Sequence, residues 1–105
     1  MDTIMQGSTE YCPICFRKIE PGCGVWHHVF NGTANRKKAE EDGMKIYIHP
    51  MPCHEEIHKM QGLDLQMKMK AQKIWCEYYD KTESQFIERY GKNYREAFYE
   101  WQRNH

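Results

Sequence analysis

Four histidines arranged as two pairs place the strongest constraint on the fold of this 105-residue chain. His27 and His28 are adjacent in a β-branched and aromatic stretch that predicts a strand, so their rings point to opposite faces. His54 and His58 are four residues apart, which places both imidazoles on one face of a helix. Packing this strand against this helix would create a cation site and leave one imidazole for proton transfer.

Composition narrows the class of protein. The length predicts one domain, and the 15 basic and 15 acidic residues give a net charge of zero. A balanced charge disfavours tight non-specific coating of nucleic acid but allows a local contact patch. No apolar run approaches the roughly 20 residues of a membrane helix, and the N-terminal segment lacks the regions of a secretory signal. We therefore expect a cytoplasmic protein without a membrane partner, in which five cysteines favour metal binding over disulfides.

The pattern along the chain predicts an α+β fold. Turn signals and residue types predict strands at 25–30 and 45–49, a polar helix at 34–42 and a short helix at 53–60. Apolar spacing predicts further helices from residue 60 onward, with capping signals at Thr82–Gln85 and Asn93–Glu96. The expected organisation is a flexible leader at 1–9, a metal-binding domain at 10–60 and a helical extension packed on it at 61–105.

A Cys-x-x-Cys motif near the start of the chain predicts a structural zinc site. Two thiolates bind zinc only when two more nitrogen or sulfur ligands come from elsewhere in the chain. The predicted ligands are Cys12, Cys15, His49 and Cys53. Cys23 and His54 are competing ligands. A redox pair, buried thiols and a metal-free turn remain open alternatives, although a thioredoxin-like site would require a βαβ context that this sequence lacks.

The helical histidine pair has two rival interpretations. His54, Glu55 and His58 match the letters of the His-Glu-x-x-His motif, in which the glutamate is the general base of a zinc peptidase. Pro52 and the shortness of the expected helix disfavour a peptidase. The adjacent pair, His27 and His28, could also include an ordinary hydrogen-bonded core histidine.

The order of these elements resembles one family. A Cys-x-x-Cys, a His-His strand, a polar loop, a second strand and a helical His-x-x-x-His are similar to the HNH, or ββα-metal, endonucleases with a treble-clef zinc knuckle. The resemblance spans residues 11–60, and its histidine-bearing part looks like small HNH-like proteins of bacteriophages and prophages. It implies that His28 is the general base that activates water. It also implies that His27, His54 and His58 bind a catalytic divalent ion, such as Mg²⁺, Mn²⁺, Ni²⁺ or Zn²⁺.

Two positions depart from the family pattern. The asparagine that orients the base normally precedes the second strand, where this chain has Asp42 and Gly43. Asn35 is the candidate substitute, with Asn31 as a second choice. A second Cys-x-x-Cys would place a cysteine at Pro50, and the resemblance therefore leaves His49 and Cys53 to complete the zinc site.

The resemblance implies metal-dependent hydrolysis of DNA in phage recombination, replication or packaging, within the cytoplasm of a bacterial host. A basic cluster formed by Arg36, Lys37 and Lys38 is expected to contact phosphates, although the acidic run that follows could make this a self-neutralising solvated helix. The partners would be DNA and phage replication or recombination proteins. Aromatic residues of the last helix, among them Tyr94, Phe98 and Trp101, could support a homodimer. The alternative function is a non-catalytic zinc-binding module that recognises DNA or a protein partner.

Overall fold

The computed structural model describes residues 3–105 and has the α+β architecture that the sequence predicts. The described residues contain two strands, five α-helices and an irregular helical segment at Pro50–His54. Their bounds are β1 (Val25–His28), α1 (Thr33–Asp42), β2 (Lys45–Ile48), α2 (Glu55–Lys59), α3 (Gln61–Tyr79), α4 (Glu83–Tyr90) and α5 (Tyr94–Arg103). None of the helices in the described part of the chain has the length and apolarity that crossing a membrane requires.

The two strands form an antiparallel pair that carries the first histidines. His27 is paired with Ile46, and His28 is paired with Lys45. Directly opposed residues share a face, so His27 lies on the buried face of the sheet and His28 lies on the other face with Lys45. Both strands are shorter than predicted, because the chain leaves the ladder after His28 and after Ile48.

Helix α1 connects the two strands and is shaped by glycines at both ends. Gly43 adopts the left-handed conformation, with φ of 74°, and its N–H caps the carbonyl of Ala39. Because glycine has no Cβ, this tight reversal carries no steric cost, and β2 begins two residues later. The predicted cap at Gly43 is confirmed.

One core joins the hairpin to the C-terminal helices. Phe30, fully buried after β1, lies with its ring centroid 5.2 Å from that of Phe86 and 4.5 Å from that of Tyr90. The predicted caps are confirmed: Thr82 begins α4 with a capping box, and the side chain of Asn93 accepts hydrogen bonds at the start of α5. The helices therefore pack on the domain that carries the histidines.

Part of the segment predicted as a leader lies along β2. The Ile4 N–H donates to the Gly43 carbonyl at 3.0 Å, and the Gln6 side chain forms hydrogen bonds with the backbone N–H and carbonyl of Tyr47. Residues 1 and 2 of the predicted leader lie outside the described residues.

Candidate metal centres

Three cysteines and one histidine converge beside the end of β2. The Cys12 carbonyl accepts the Phe16 N–H at 2.8 Å, and this tight turn aims both motif sulfurs to one side. The members of this cysteine cluster are Cys12, Cys15, His49 and Cys53, whose ligand atoms all lie within 4.8 Å of one another. Tetrahedral zinc with bonds of 2.0–2.3 Å requires ligand separations of about 3.4–3.8 Å, so small side-chain shifts would accommodate the ion. The cluster could therefore hold a metal such as zinc.

His49 is held in the orientation that a metal ligand needs. Its Nε2 lies 3.1 Å from the Lys18 carbonyl, an acceptor, so this nitrogen carries the proton and donates it. Nδ1 then has the free lone pair, and it lies 3.3 Å from the Cys15 sulfur. A hydrogen bond on the far ring nitrogen is the usual support of a metal-binding histidine, because it fixes the tautomer and the ring orientation.

The thiols of the cluster differ in how readily they ionise. Burial opposes ionisation of Cys15, but hydrogen bonds with the backbone and side chain of Arg17 outweigh it and lower the pKa of this thiol to about 6. Burial, followed by hydrogen bonds with Cys12 and Cys15, raises the pKa of Cys53 to about 12. Without a cation, ionisation at neutral pH is therefore favoured at Cys15 over Cys53, and a bound cation would favour ionisation of all three thiols.

A second cluster, the histidine trio, consists of His27, His54 and His58. Their ligand nitrogens lie within 4.8 Å of one another, and Nε2 of His54 is 3.1 Å from Nε2 of His58. The ring centroid of His27 lies 5.3 Å from that of His54 and 5.6 Å from that of His58. The strand and the helix thus meet in the way that the histidine spacing predicts.

His27 provides the most specific sign of a ligand in this trio. It is 4% exposed, and among the described residues its Nε2 is the one buried side-chain polar atom without a hydrogen-bond partner. An unpaired buried nitrogen is costly, and a bound cation would satisfy it. Burial, reinforced by His54 and His58, lowers the pKa of His27 to about 4, so the ring is neutral and carries a lone pair at physiological pH. Burial and His58 also lower the pKa of His54.

The trio opens into a cleft of about 230 Å³. Besides the three histidines, its walls include Trp26, His28, Asn31 and Arg36. Three protein ligands facing an open cleft leave room for water or substrate, as in catalytic rather than structural metal sites. The cysteine cluster instead supplies four ligands, which is the number that closes a structural site.

His28 lines this cleft and forms a hydrogen bond with a side chain of helix α1. Its Nε2 lies 2.7 Å from a carboxylate oxygen of Glu40, whose other oxygen accepts a hydrogen bond from Lys45 at 3.0 Å. Sequence reasoning missed Glu40 because it lies within an acidic run that resembles a solvated helix face. The one indication of this contact is that His28 is paired with Lys45 across the hairpin, and that pairing depends on the strand register.

The predicted role of Asn35 requires correction. Its side-chain amide donates to the Tyr90 carbonyl at 3.1 Å, so it joins α1 to α4 and does not line the cleft. Lys38 lies on the same face of α1 and donates to the Arg89 carbonyl at 2.7 Å. Of the predicted basic cluster, Arg36 lines the cleft and Lys37 lines the adjoining groove, while Lys38 supports the helix packing.

Other predicted contributors lie away from the two clusters or are engaged elsewhere. Cys23 is exposed and outside both. Glu55 forms an i,i+4 ion pair with Lys59 on the surface of α2. Tyr94 is buried rather than exposed, and Trp101 packs against Gly62 of α3, so these two aromatics serve the core and not the predicted dimer surface.

The chain matches no protein-family model, no curated protein and no solved structure. The case for a function therefore depends on the geometry of the two clusters.

Proposed function

We propose that this protein is a metal-dependent DNA endonuclease of the HNH type, with a treble-clef zinc knuckle formed by the cysteine cluster. The observation that carries the proposal is the buried, unpartnered Nε2 of His27, whose ring lies beside two helical imidazoles in the wall of an open cleft. His28 lines the same cleft and is not a member of the trio. One histidine is therefore left for proton transfer.

The donor set favours a transition metal. Three imidazoles suit Zn²⁺ or Ni²⁺, whereas Mg²⁺ and Mn²⁺ favour oxygen ligands, and Mg²⁺ keeps several waters. A bound cation would supply charge stabilisation to the phosphodiester and to the leaving 3′-oxygen. His27, His54 and His58 would hold it, and His28 would accept the proton of the attacking water.

A shallow groove next to the cleft offers a path for the DNA backbone. Trp26, His28, Asn31 and Arg36 line both the cleft and the groove, and the groove also includes Lys37 and Lys45. Arg36 and Lys37 would contact phosphates on either side of the scissile bond. The groove also includes Glu40 and Glu41, and Glu40 is bonded to Lys45, so Arg36 and Lys37 are the cations that would make this contact.

The test is nicking of supercoiled plasmid by the zinc-loaded protein with added Mn²⁺, Ni²⁺, Zn²⁺ or Mg²⁺. His28→Ala should lower the rate by about 10²–10⁴-fold, the usual contribution of a general base, while metal content stays unchanged. His105→Ala, which removes the exposed C-terminal histidine, is the matched control and should cut normally. A His28→Ala variant that cuts like the parent would show that this residue is not the base.

A second function, a non-catalytic zinc module, is favoured by the complete cysteine cluster and the neutral net charge. It requires one tightly bound ion per chain and no cleavage with any cation. A chain that retains zinc at the cysteine cluster, binds DNA and never nicks it would establish this alternative.

A further inference from the structure

Glu40 occupies the position from which a base can be oriented. It lies in the last turn of α1, and the tight Gly43 reversal brings Lys45 of β2 back beside it. Since Lys45 is paired with His28 in the sheet, the fold places a carboxylate between a lysine and a histidine. One carboxylate oxygen of Glu40 lies 2.7 Å from Nε2 of His28, and the other lies 3.0 Å from the ammonium nitrogen of Lys45.

We propose that Glu40 is the positioning residue of His28 and takes the role that HNH proteins give to an asparagine. This inference rests on the proposed function. Glu40 accepts the Nε2–H of His28, which leaves the lone pair on Nδ1 as the only site that can receive a proton. Lys45 holds the carboxylate in place, and the 4.7 Å distance from its ammonium to the Trp26 ring centroid limits its own movement.

A carboxylate at this position can both orient His28 and stabilise its charged form, whereas a neutral amide would only orient it. When water attacks phosphorus, its proton moves to Nδ1 of His28, the new P–O bond forms and the bond to the 3′-oxygen breaks. The leaving oxygen then takes a proton from solvent. The imidazolium is stabilised by the charge of Glu40, which accepts a charge-assisted hydrogen bond and stays ionised. Hydrogen bonds with His28, and then with Lys45, lower the pKa of Glu40 and keep it in this form.

The position of Asn35 supports the same assignment. Its amide is engaged with the Tyr90 carbonyl, and it lies on the opposite side of α1 from Glu40. Asn31 lines the cleft but has no hydrogen bond with His28 in the structure. Of the side chains considered for this role, Glu40 is the one in hydrogen-bond contact with the ring.

The tautomer of His28 tests the inference without relying on cleavage. Nitrogen NMR of the zinc-loaded parent at pH 8 should show His28 protonated at Nε2. Glu40→Ala should shift the population toward the other tautomer or a mixture. It should also lower kcat for nicking by about 10- to 100-fold, with KM and metal content unchanged. Glu88→Ala, which removes an exposed carboxylate of α4 outside the cleft and the groove, should change neither tautomer nor kcat.

The possible failures are separable. If the parent cuts DNA but its His28 carries the proton on Nδ1, or if Glu40→Ala cuts at the parent rate, the positioning role is overturned and the nuclease assignment stands. If the parent fails to cut DNA with every cation tested, the proposed function fails, and the catalytic role of Glu40 fails with it. Thermal unfolding of Glu40→Ala should show a modest loss and no collapse, because the Glu40 side chain is 47% exposed while its partner Lys45, at 10% exposed, loses its carboxylate. A collapse of the fold would make Glu40 a structural residue and overturn the inference.

Discussion

Asp42, at the end of α1, joins the hairpin to the C-terminal helices through one carboxylate. It accepts hydrogen bonds from Trp75 Nε1 at 2.8 Å, from the Tyr90 hydroxyl at 2.7 Å, and from two nitrogens of Arg89 at 2.6 and 2.8 Å. Its backbone carbonyl also accepts the Tyr79 hydroxyl at 2.8 Å. The Asp42 side chain is 13% exposed. Substituting Asp42 should therefore be among the most destabilising polar changes in this chain.

The size of the effect follows from which donors lose their partner in Asp42→Ala. Trp75 and Tyr90 are 5% and 3% exposed, so water cannot replace the lost acceptor without a structural change. Each unpaired buried donor costs about 1–3 kcal/mol. Arg89 has a side chain that is 31% exposed, so solvent screens much of its contribution. We expect a loss of about 3–5 kcal/mol, a large part of the roughly 5–15 kcal/mol typical of a domain.

Urea unfolding followed by tryptophan fluorescence, at fixed zinc concentration, measures this loss. The matched control is Glu41→Ala, because Glu41 also bonds Arg89, at 3.2 Å, but is 54% exposed. The control should lose less than about 1 kcal/mol, as exposed ion pairs do. If Asp42→Ala were within 1 kcal/mol of the parent, the buried donors would have found other acceptors. The reasoning from unpaired groups would then be refuted.

Three further changes test the two clusters and the basic face. Cys12→Ser should remove zinc from the cysteine cluster and destabilise the fold, whereas Cys23→Ser should keep the parent's metal content; equal zinc in both variants would exclude the ligand set. His58→Ala should lose the second ion and the nicking activity while the cysteine-cluster zinc remains, as metal analysis and plasmid nicking would report; retained nicking would contradict the trio. Lys37→Ala should reduce the salt dependence of DNA binding by about one ion, whereas Lys38→Ala should leave binding unchanged and cost about 1 kcal/mol of unfolding free energy. The reverse pattern would show that α1 presents its other face to DNA.

The features that sequence reasoning predicted are those set by local spacing. The i,i+4 spacing of His54, which precedes α2, and His58 within it brings their ring nitrogens together. Thr82 and Asn93 cap their helices because a side-chain oxygen can reach the free backbone N–H groups within one turn. These interactions involve residues within four positions of each other, so no tertiary information was needed.

What sequence reasoning missed depends on the rotation of α1 about its axis. Asn35 and Lys38 are three residues apart and share the face that packs on α4. Arg36 and Glu40 are four apart and share the face that lines the groove beside His28. The helix has little amphipathic pattern to distinguish these faces, because Ala39 is its one fully buried residue. The hydrogen bonds of Asp42 and the β1–β2 pairing set the rotation, and both involve distant parts of the chain.

The two clusters share one short segment, which continues from Pro50–His54 into α2 and supplies ligands to both. Helix α2 is too short to be stable in isolation. The segment is fixed by Cys53, a buried member of the cysteine cluster that immediately precedes His54, and by the buried Ile57 that precedes His58. A metal at the cysteine cluster would therefore immobilise the residue next to His54. In the proposed enzyme, Cys53 would bind the structural ion and His54, the next residue, would bind the catalytic ion. The structural ion would therefore help to set the positions of the ligands in the histidine trio.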